Sequence, residues 1–150
     1  MPTFLLDSSV MVAAVCSWHE HHQAAIEEIE RRLKRRQTMI VAAPTLVETY
    51  AVLTRLPSPH RLSSHDAKNL IESNFLNEYK CIALDENDYK HLVLEAPGKD
   101  VSGGRTYDWV IALCAQKAEV SVLLTFNIRD FTSFSLHGVG IYFPESSVSG

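Results

Sequence analysis

"FLLDSSVMVAAV", residues 4–15, decides how this chain is read. Phe4, Leu5 and Leu6 form an apolar run that asks for burial and reads, over 3–6, as a strand. Asp7 stops the run, and a carboxylate in such a place needs something to compensate its charge. Ser8 or Ser9 can then cap a helix, and residues 9–16 continue in a short helical apolar pattern.

Outward from this point the alternation continues. Residues 19–36 carry an amphipathic helical stripe through Ala24, Ala25, Ile26, Ile29 and Leu33. "MIVAA" (39–43) is a second strand. Pro44 and Thr45 open a helix to about Leu56, which "PSPH" (57–60) breaks. Ser63 or Ser64 caps a helix to about Tyr79. "CIAL" (81–84) is a short strand, Asp85 caps the helix of "ENDYKHLVLEA" (86–96), and "PGKDVSGG" (97–104) is a loop. Residues 105–118 form a strongly apolar helix. "VSVLLT" (120–125) is a strand, "IRDF" (128–131) a short turn or helix, and "VGIYF" (139–143) a last strand. Strands separated by helices require crossovers. The expectation is therefore one α/β domain over 1–150, a central, mostly parallel sheet of about four or five strands flanked by helices. In such sheets function gathers at the carboxyl ends of strands. Asp7 follows the first strand and Asn127 the fourth, so topology alone sends both to that edge.

A length of 150 residues suits one domain with a real core. Hydrophobic content of 46% against 21% charged is a globular balance. No apolar stretch is long enough to span a membrane, and the start lacks the features of a signal peptide, so a cytoplasmic protein is expected. Cys16, Cys81 and Cys114 are odd in number and form no CxxC pair, which argues against a disulfide framework or a cysteine zinc site. Cys16 and Cys114 read as small core residues. A net charge of −4 argues against gripping nucleic acid by bulk charge and leaves room for a local basic patch or a metal-bridged site.

Two further acids stand alone in apolar helices: Glu48 in "PTLVETYAVL" and Asp108 in "TYDWVIALCA". Each alone reads equally as a helix-start acid, favoured by the dipole, or as a paired residue. Together with Asp7, they are three carboxylates close to strand ends or helix starts, able to converge at one edge. Like charges that close stay partly protonated unless a cation sits between them. Oxygen-only ligands select Mg²⁺ or Mn²⁺, and such an ion suits work on a phosphodiester.

"FLLDSSV", "APTLVETYAVL", "GGRTYDWVIALCA" and "LLTFNIRDF", in this order and spacing, resemble the motifs of PIN-domain ribonucleases, and among these the VapC-type toxins of bacterial and archaeal toxin–antitoxin pairs. The resemblance runs over residues 3–143. It implies a PIN-like fold and Mg²⁺-dependent hydrolysis of RNA, with Asp7, Glu48 and Asp108 as the acidic set. At the fourth position stand Asn127, as polar ligand or substrate contact, and Asp130, as the charged member. Ser9 and Thr125 match small hydroxyl positions that would hydrogen-bond the carboxylates; a helix cap and a strand-end residue are their plainer readings. In the implied mechanism Asp7 and Asp108, with Glu48 nearby, hold Mg²⁺, and a water attacks the phosphodiester in line. The resemblance also implies a homodimer, and an antitoxin whose tail enters the active-site groove.

Other features are weighed against this. "HEHH" (19–22) is a solvated helix start rather than a metal site, for want of a fourth ligand. "RRLKRR" (31–36) reads as a solvated helix end, with RNA-phosphate contact as the functional alternative. Arg105 and Arg129 flank the acidic motifs and are better placed to meet a phosphate, although Arg129 can instead neutralise Asp130. The glycines at 103–104 are a flexible helix entry, since no phosphate-loop pattern is present. Two rival functions remain. A haloacid-dehalogenase-type phosphatase wants a second acid two residues after the first, where Ser9 stands. A non-catalytic PIN-like binding module would show an eroded acid set, and Asp7, Glu48 and Asp108 are intact.

Overall fold

In the computed structural model, which describes residues 2–77 and 79–146, the apolar runs become strands, buried at the centre of the sheet and more open at its edges. They are β1 (Thr3–Leu6), β2 (Thr38–Ala42), β3 (Lys80–Ile82), β4 (Val122–Leu124) and β5 (Gly140–Tyr142). They form one sheet in the order β3-β2-β1-β4-β5. All four pairings are parallel, which sharpens the expected mostly parallel sheet to an all-parallel one. The chain works outward from β1 to β3, then crosses back to β4. The switch point therefore lies between β1 and β4, where a crevice opens at the carboxyl ends.

Helices cover both faces: α1 (Ser8–Val15), α2 (His22–Lys34), α3 (Ala43–Thr54), α4 (Ser64–Ile71), α5 (Glu86–Glu95), α6 (Arg105–Lys117) and α7 (Ile128–Thr132). Side chains alternate across each strand. Phe4, Leu6, Met39, Val41 and Leu124 point to a core with Val10 and Met11 of α1, Leu53 of α3 and Phe75. Leu5, Ile40, Ala42 and Leu123 point the other way, to Leu92 of α5, Trp109 and Ile111 of α6 and Phe131 of α7. Among the described residues no helix is long and apolar enough to cross a membrane.

Two helices differ from the sequence expectation, each for a local reason. α2 starts at His22, not at 19, because the Nδ1 of His19 accepts the backbone N–H of His21 and competes with the helix. It stops at Lys34, where Arg36 turns left-handed (φ 62) and Gln37 N–H closes on the Arg32 carbonyl. The helix expected to run to Tyr79 is regular only to Ile71. A π-helical turn, Glu72–Leu76, follows, in which the Ser73 hydroxyl and Asn74 amide donate to the Asn69 and Leu70 carbonyls. Glu78 lies outside the described residues. Asp85 caps α5 as expected, in a reciprocal box with Asp88.

Leu5 is fully buried in the central strand. Leu5→Ala is expected to cost about 2–5 kcal/mol in urea unfolding. Val93→Ala, at a residue 67% exposed, is expected to stay within about 0.5 kcal/mol of the parent. Equal effects at the two sites would contradict the assignment of the core.

Candidate active site

Asp7 continues the line of β1: its backbone N–H donates to the Leu124 carbonyl at 3.1 Å. Its backbone is still extended (φ −80, ψ 177), and its side chain turns back to cap α1. Asp7, rather than Ser8 or Ser9, is thus the N-cap, because it reaches the free amides one residue earlier. Its Oδ1 accepts from the Ser9 hydroxyl at 2.6 Å and from the Val10 N–H at 3.0 Å. Its Oδ2 accepts from the Thr125 hydroxyl at 2.5 Å. Ser9 in turn accepts from the Phe126 N–H at 3.2 Å, and Thr125 from the Asn127 N–H at 2.8 Å. Both hydroxyls therefore do what the sequence assigned to them, and they tie the β1–α1 junction to the β4–α7 junction.

The other acids arrive on separate helices. Glu48 is half-buried and is the sixth residue of α3, which begins at Ala43. That is the second turn of the helix, outside the stretch where a helix dipole stabilises an acid. Its Oε1 accepts from the Ser8 hydroxyl at 2.9 Å. Ser8, read from the sequence only as a cap, is thus a positioning residue that sequence reasoning missed; only its place next to Asp7 hinted at it. Asp108 is half-buried in the first turn of α6, and Asp130 is exposed in α7. Asn127 is exposed at the start of α7, and its side chain makes no capping bond.

These carboxyls feel one another. Burial pushes Asp7 up to about 6, against the hydrogen bonds from Ser9, Thr125 and Val10; the Glu48 charge adds to the rise. Burial first, then the charges of Asp7, Glu48 and Asp130, push Asp108 up to about 6, with Arg105 opposing. A proton or a cation relieves such a set. The donors are all oxygens, which fits a hard divalent ion. As they lie, no three His, Cys, Asp or Glu side chains among the described residues enclose an ion site. Oδ1 of Asp7 already receives two donors and Oδ2 only one, so Oδ2 keeps a lone pair free for a ligand.

The nearby cations are mostly committed elsewhere. Arg105 donates to the Asp100 carbonyl at 2.8 Å and the Ser133 hydroxyl at 2.5 Å, and lies 4.8 Å over the Phe134 ring. It is a clip between the loop before α6 and the end of α7, not an open phosphate contact. Arg129 is exposed and, among the described residues, forms no ion pair with Asp130. In the basic run, Arg31 and Arg32 pair with the buried Glu28 at 3.1 and 3.2 Å. The run ends just before β2 starts, at the edge opposite Asp7, away from the acids. The histidine run is not a solvated helix start either. His22 Nδ1 meets the Ala13 carbonyl at 2.8 Å, and His21 stacks on Phe126.

The chain matches the family model described as the PIN domain over residues 4–135. It is 37% identical over 123 residues to the ribonuclease VapC40 of Mycobacterium tuberculosis, covering 82% of this chain and 85% of the relative. It is 30% identical to the ribonuclease VapC27 of the same organism, covering 93% and 96%. Two solved structures share the fold. VapBC2 from Rickettsia felis, bound to a DNA fragment from its promoter, has a TM-score of 0.66 at 17% identity, covering 94% of this chain and 98% of that one. VapC20 of Mycobacterium tuberculosis, a sarcin-ricin loop cleaving toxin, has a TM-score of 0.62 at 13% identity, covering 91% and 98%.

The raised Asp7 carboxyl sets a pH dependence with a definite sign. Below about pH 4 folded and unfolded chains both hold the proton. Between about 4 and 6 the unfolded chain gives it up first, so stability falls as pH rises, then levels off. In EDTA, Asp7→Asn is expected to gain stability over the parent across that window, by about 2–3 kcal/mol at its plateau above pH 6. Thermal unfolding from pH 4 to 8 measures it; a constant difference between the two proteins would refute the buried, proton-loving carboxyl.

Proposed function

The chain belongs to the PIN-domain family, and from that premise we propose that it is a divalent-metal-dependent endoribonuclease, the toxin of a toxin–antitoxin pair. The observation that carries the reading is the buried Asp7, pinned by the Ser9 and Thr125 hydroxyls and electrostatically coupled to Glu48 and Asp108 at the switch point of the sheet. The 37% identity to a relative named a ribonuclease supports the activity.

Asp7 and Asp108, with Glu48 beside them, would hold Mg²⁺, or Mn²⁺ in its place, and the bound ion would polarise the phosphodiester and the attacking water. The chain's own groups do the rest. Ser9 and Thr125 fix the rotamer of Asp7 so that one lone pair of Oδ2 faces its ligand. Ser8 fixes Glu48 in the same way. A carboxylate of this set that is not spent on the ion is the group to take a proton from water. Asp130 adds charge at the rim, and Arg129, exposed and without an ion pair among the described residues, is a cation free to meet a phosphate. Asp7 is only 2% exposed, with three donors on its oxygens. It is an anchored ligand rather than an attacking nucleophile, which tells against the phosphatase alternative.

The likeness to VapBC2 supports an antitoxin partner. The apolar faces of α2 and α4 are taken up by the core beside the sheet, through Ala25, Ala67 and Ile71. Unpartnered apolar surface lies instead on α3, α5 and α6. There Val47 (71% exposed), Tyr107 (69%) and Tyr89 line a groove of about 740 Å³ that Glu48 also borders. A second copy seated there would place the dimer interface against the site. The setting we propose is the cytoplasm.

Purified protein is expected to cleave a cellular RNA pool with Mg²⁺ or Mn²⁺ and to stop in EDTA. Asp7→Asn or Asp108→Asn should lose on the order of 100-fold or more; Ser9→Ala or Thr125→Val about 10–100-fold. Cleavage that survives EDTA and Asp7→Asn would remove the reading. Separately, Val47→Glu is expected to turn the dimer into a monomer in sedimentation velocity; a parent that sediments as a monomer at all concentrations would refute the homodimer.

A further inference from the structure

Beside Asp7 lies a recess of about 440 Å³, within the range of sites that take small ligands. Its inner wall is Ser9, whose hydroxyl is the donor to Asp7 Oδ1. The outer walls are His19, Glu20, His21, Phe126 and Asn127. The His21 and Phe126 rings are stacked at 4.4 Å and 17°, and Phe143 meets both rings edge-on, at 5.5 and 4.9 Å. This is a rigid aromatic platform, built from a loop and a strand end that meet only in the folded chain. The polar groups differ from those of a phosphate site. Glu20 is an exposed carboxylate, which repels an anion. His19 Nδ1 accepts the His21 N–H at 3.0 Å, so the neutral ring carries its proton on Nε2 as a donor. Burial and the neighbouring His21 hold the His19 pKa down, which keeps that ring neutral. Asn127 brings an amide that both donates and accepts, with no capping bond to satisfy.

We propose that this recess holds one unpaired nucleobase of the RNA next to the scissile phosphate, stacked against the His21–Phe126 platform and read at its edge by Glu20, His19 and Asn127. Aromatic and imidazole faces are the usual seats for splayed-out RNA bases. A carboxylate acceptor beside a neutral N–H donor fits an edge that sets an N–H donor next to an acceptor, which the Watson–Crick edge of every unpaired base does, uracil included through N3–H and O4. The inference rests on the nuclease reading above and names where its substrate is recognised.

The test uses the whole chain in EDTA, with the histidine Cε1–H resonances assigned by single His→Gln variants. GMP, AMP, CMP, UMP and ribose 5-phosphate are the probes. The expected result is a ring-current shift of His19 and His21 with all four nucleotides, and ribose 5-phosphate should leave both resonances in place. Glu20→Ala, at an exposed position, removes the acceptor and should weaken nucleotide binding about tenfold while His21 still shifts at saturation. Silence of both histidines toward every nucleotide overturns the proposal, as does a response to ribose 5-phosphate equal to that of GMP. RNA cleavage measured in parallel separates the two readings. Cleavage with silent histidines removes the base site and leaves the nuclease. Histidines that respond in a protein that cuts no RNA leave the base site and remove the nuclease.

Discussion

A carboxylate buried at the end of the central strand is the constraint on which this molecule depends. Asp7 is almost fully buried, and burial alone would hold it protonated. The fold answers with three donors: a backbone N–H at the start of α1 and the hydroxyls of Ser9 and Thr125. Those bonds lower its proton affinity without bringing a positive charge, so the site stays negative. A salt bridge would have neutralised the carboxylate and closed it to any cation. Hydroxyls support the anion and leave one of its lone pairs open.

The all-parallel topology makes this economical. Because β1 is flanked by β2 and β4, its carboxyl end lies within reach of elements on both sides. The α3 helix that follows β2 brings Glu48, β4 brings Thr125, and α7 brings Asp130. Among the described residues, the only long-range side-chain bond to Asp7 spans the switch point, which is where a sheet of this kind opens to its ligand. Opposite this edge, the basic end of α2 serves a buried glutamate rather than the site. Arg31 and Arg32 are thus spent on structure, at the edge away from the acids.

Much of this was legible in the sequence because strand, acid and helix signals coincide. Apolar runs bounded by Asp7, Pro44, Asp85 and Asn127 placed the strands' ends to within a residue or two, since a buried strand tolerates no charge inside it. The acids stood out by their apolar company. What stayed hidden was side-chain geometry between distant segments. That Ser8 would serve Glu48 on another helix, or that Arg105 would bend back to Asp100 and Ser133, depends on helix packing that no local pattern encodes. The histidine run looked solvated because its partner, Phe126, lies more than a hundred positions away. The regular spacing of 19–36 hid the fact that an imidazole could replace a helix's own hydrogen bond.

The distance along the chain between Asp7 and Thr125 has a consequence for synthesis. The carboxylate emerges from the ribosome well before the hydroxyl that steadies it. Until β4 has left the exit tunnel and paired with β1, Asp7 lacks one of its three donors. The cluster of acids therefore takes its final electrostatic state only when the centre of the sheet closes.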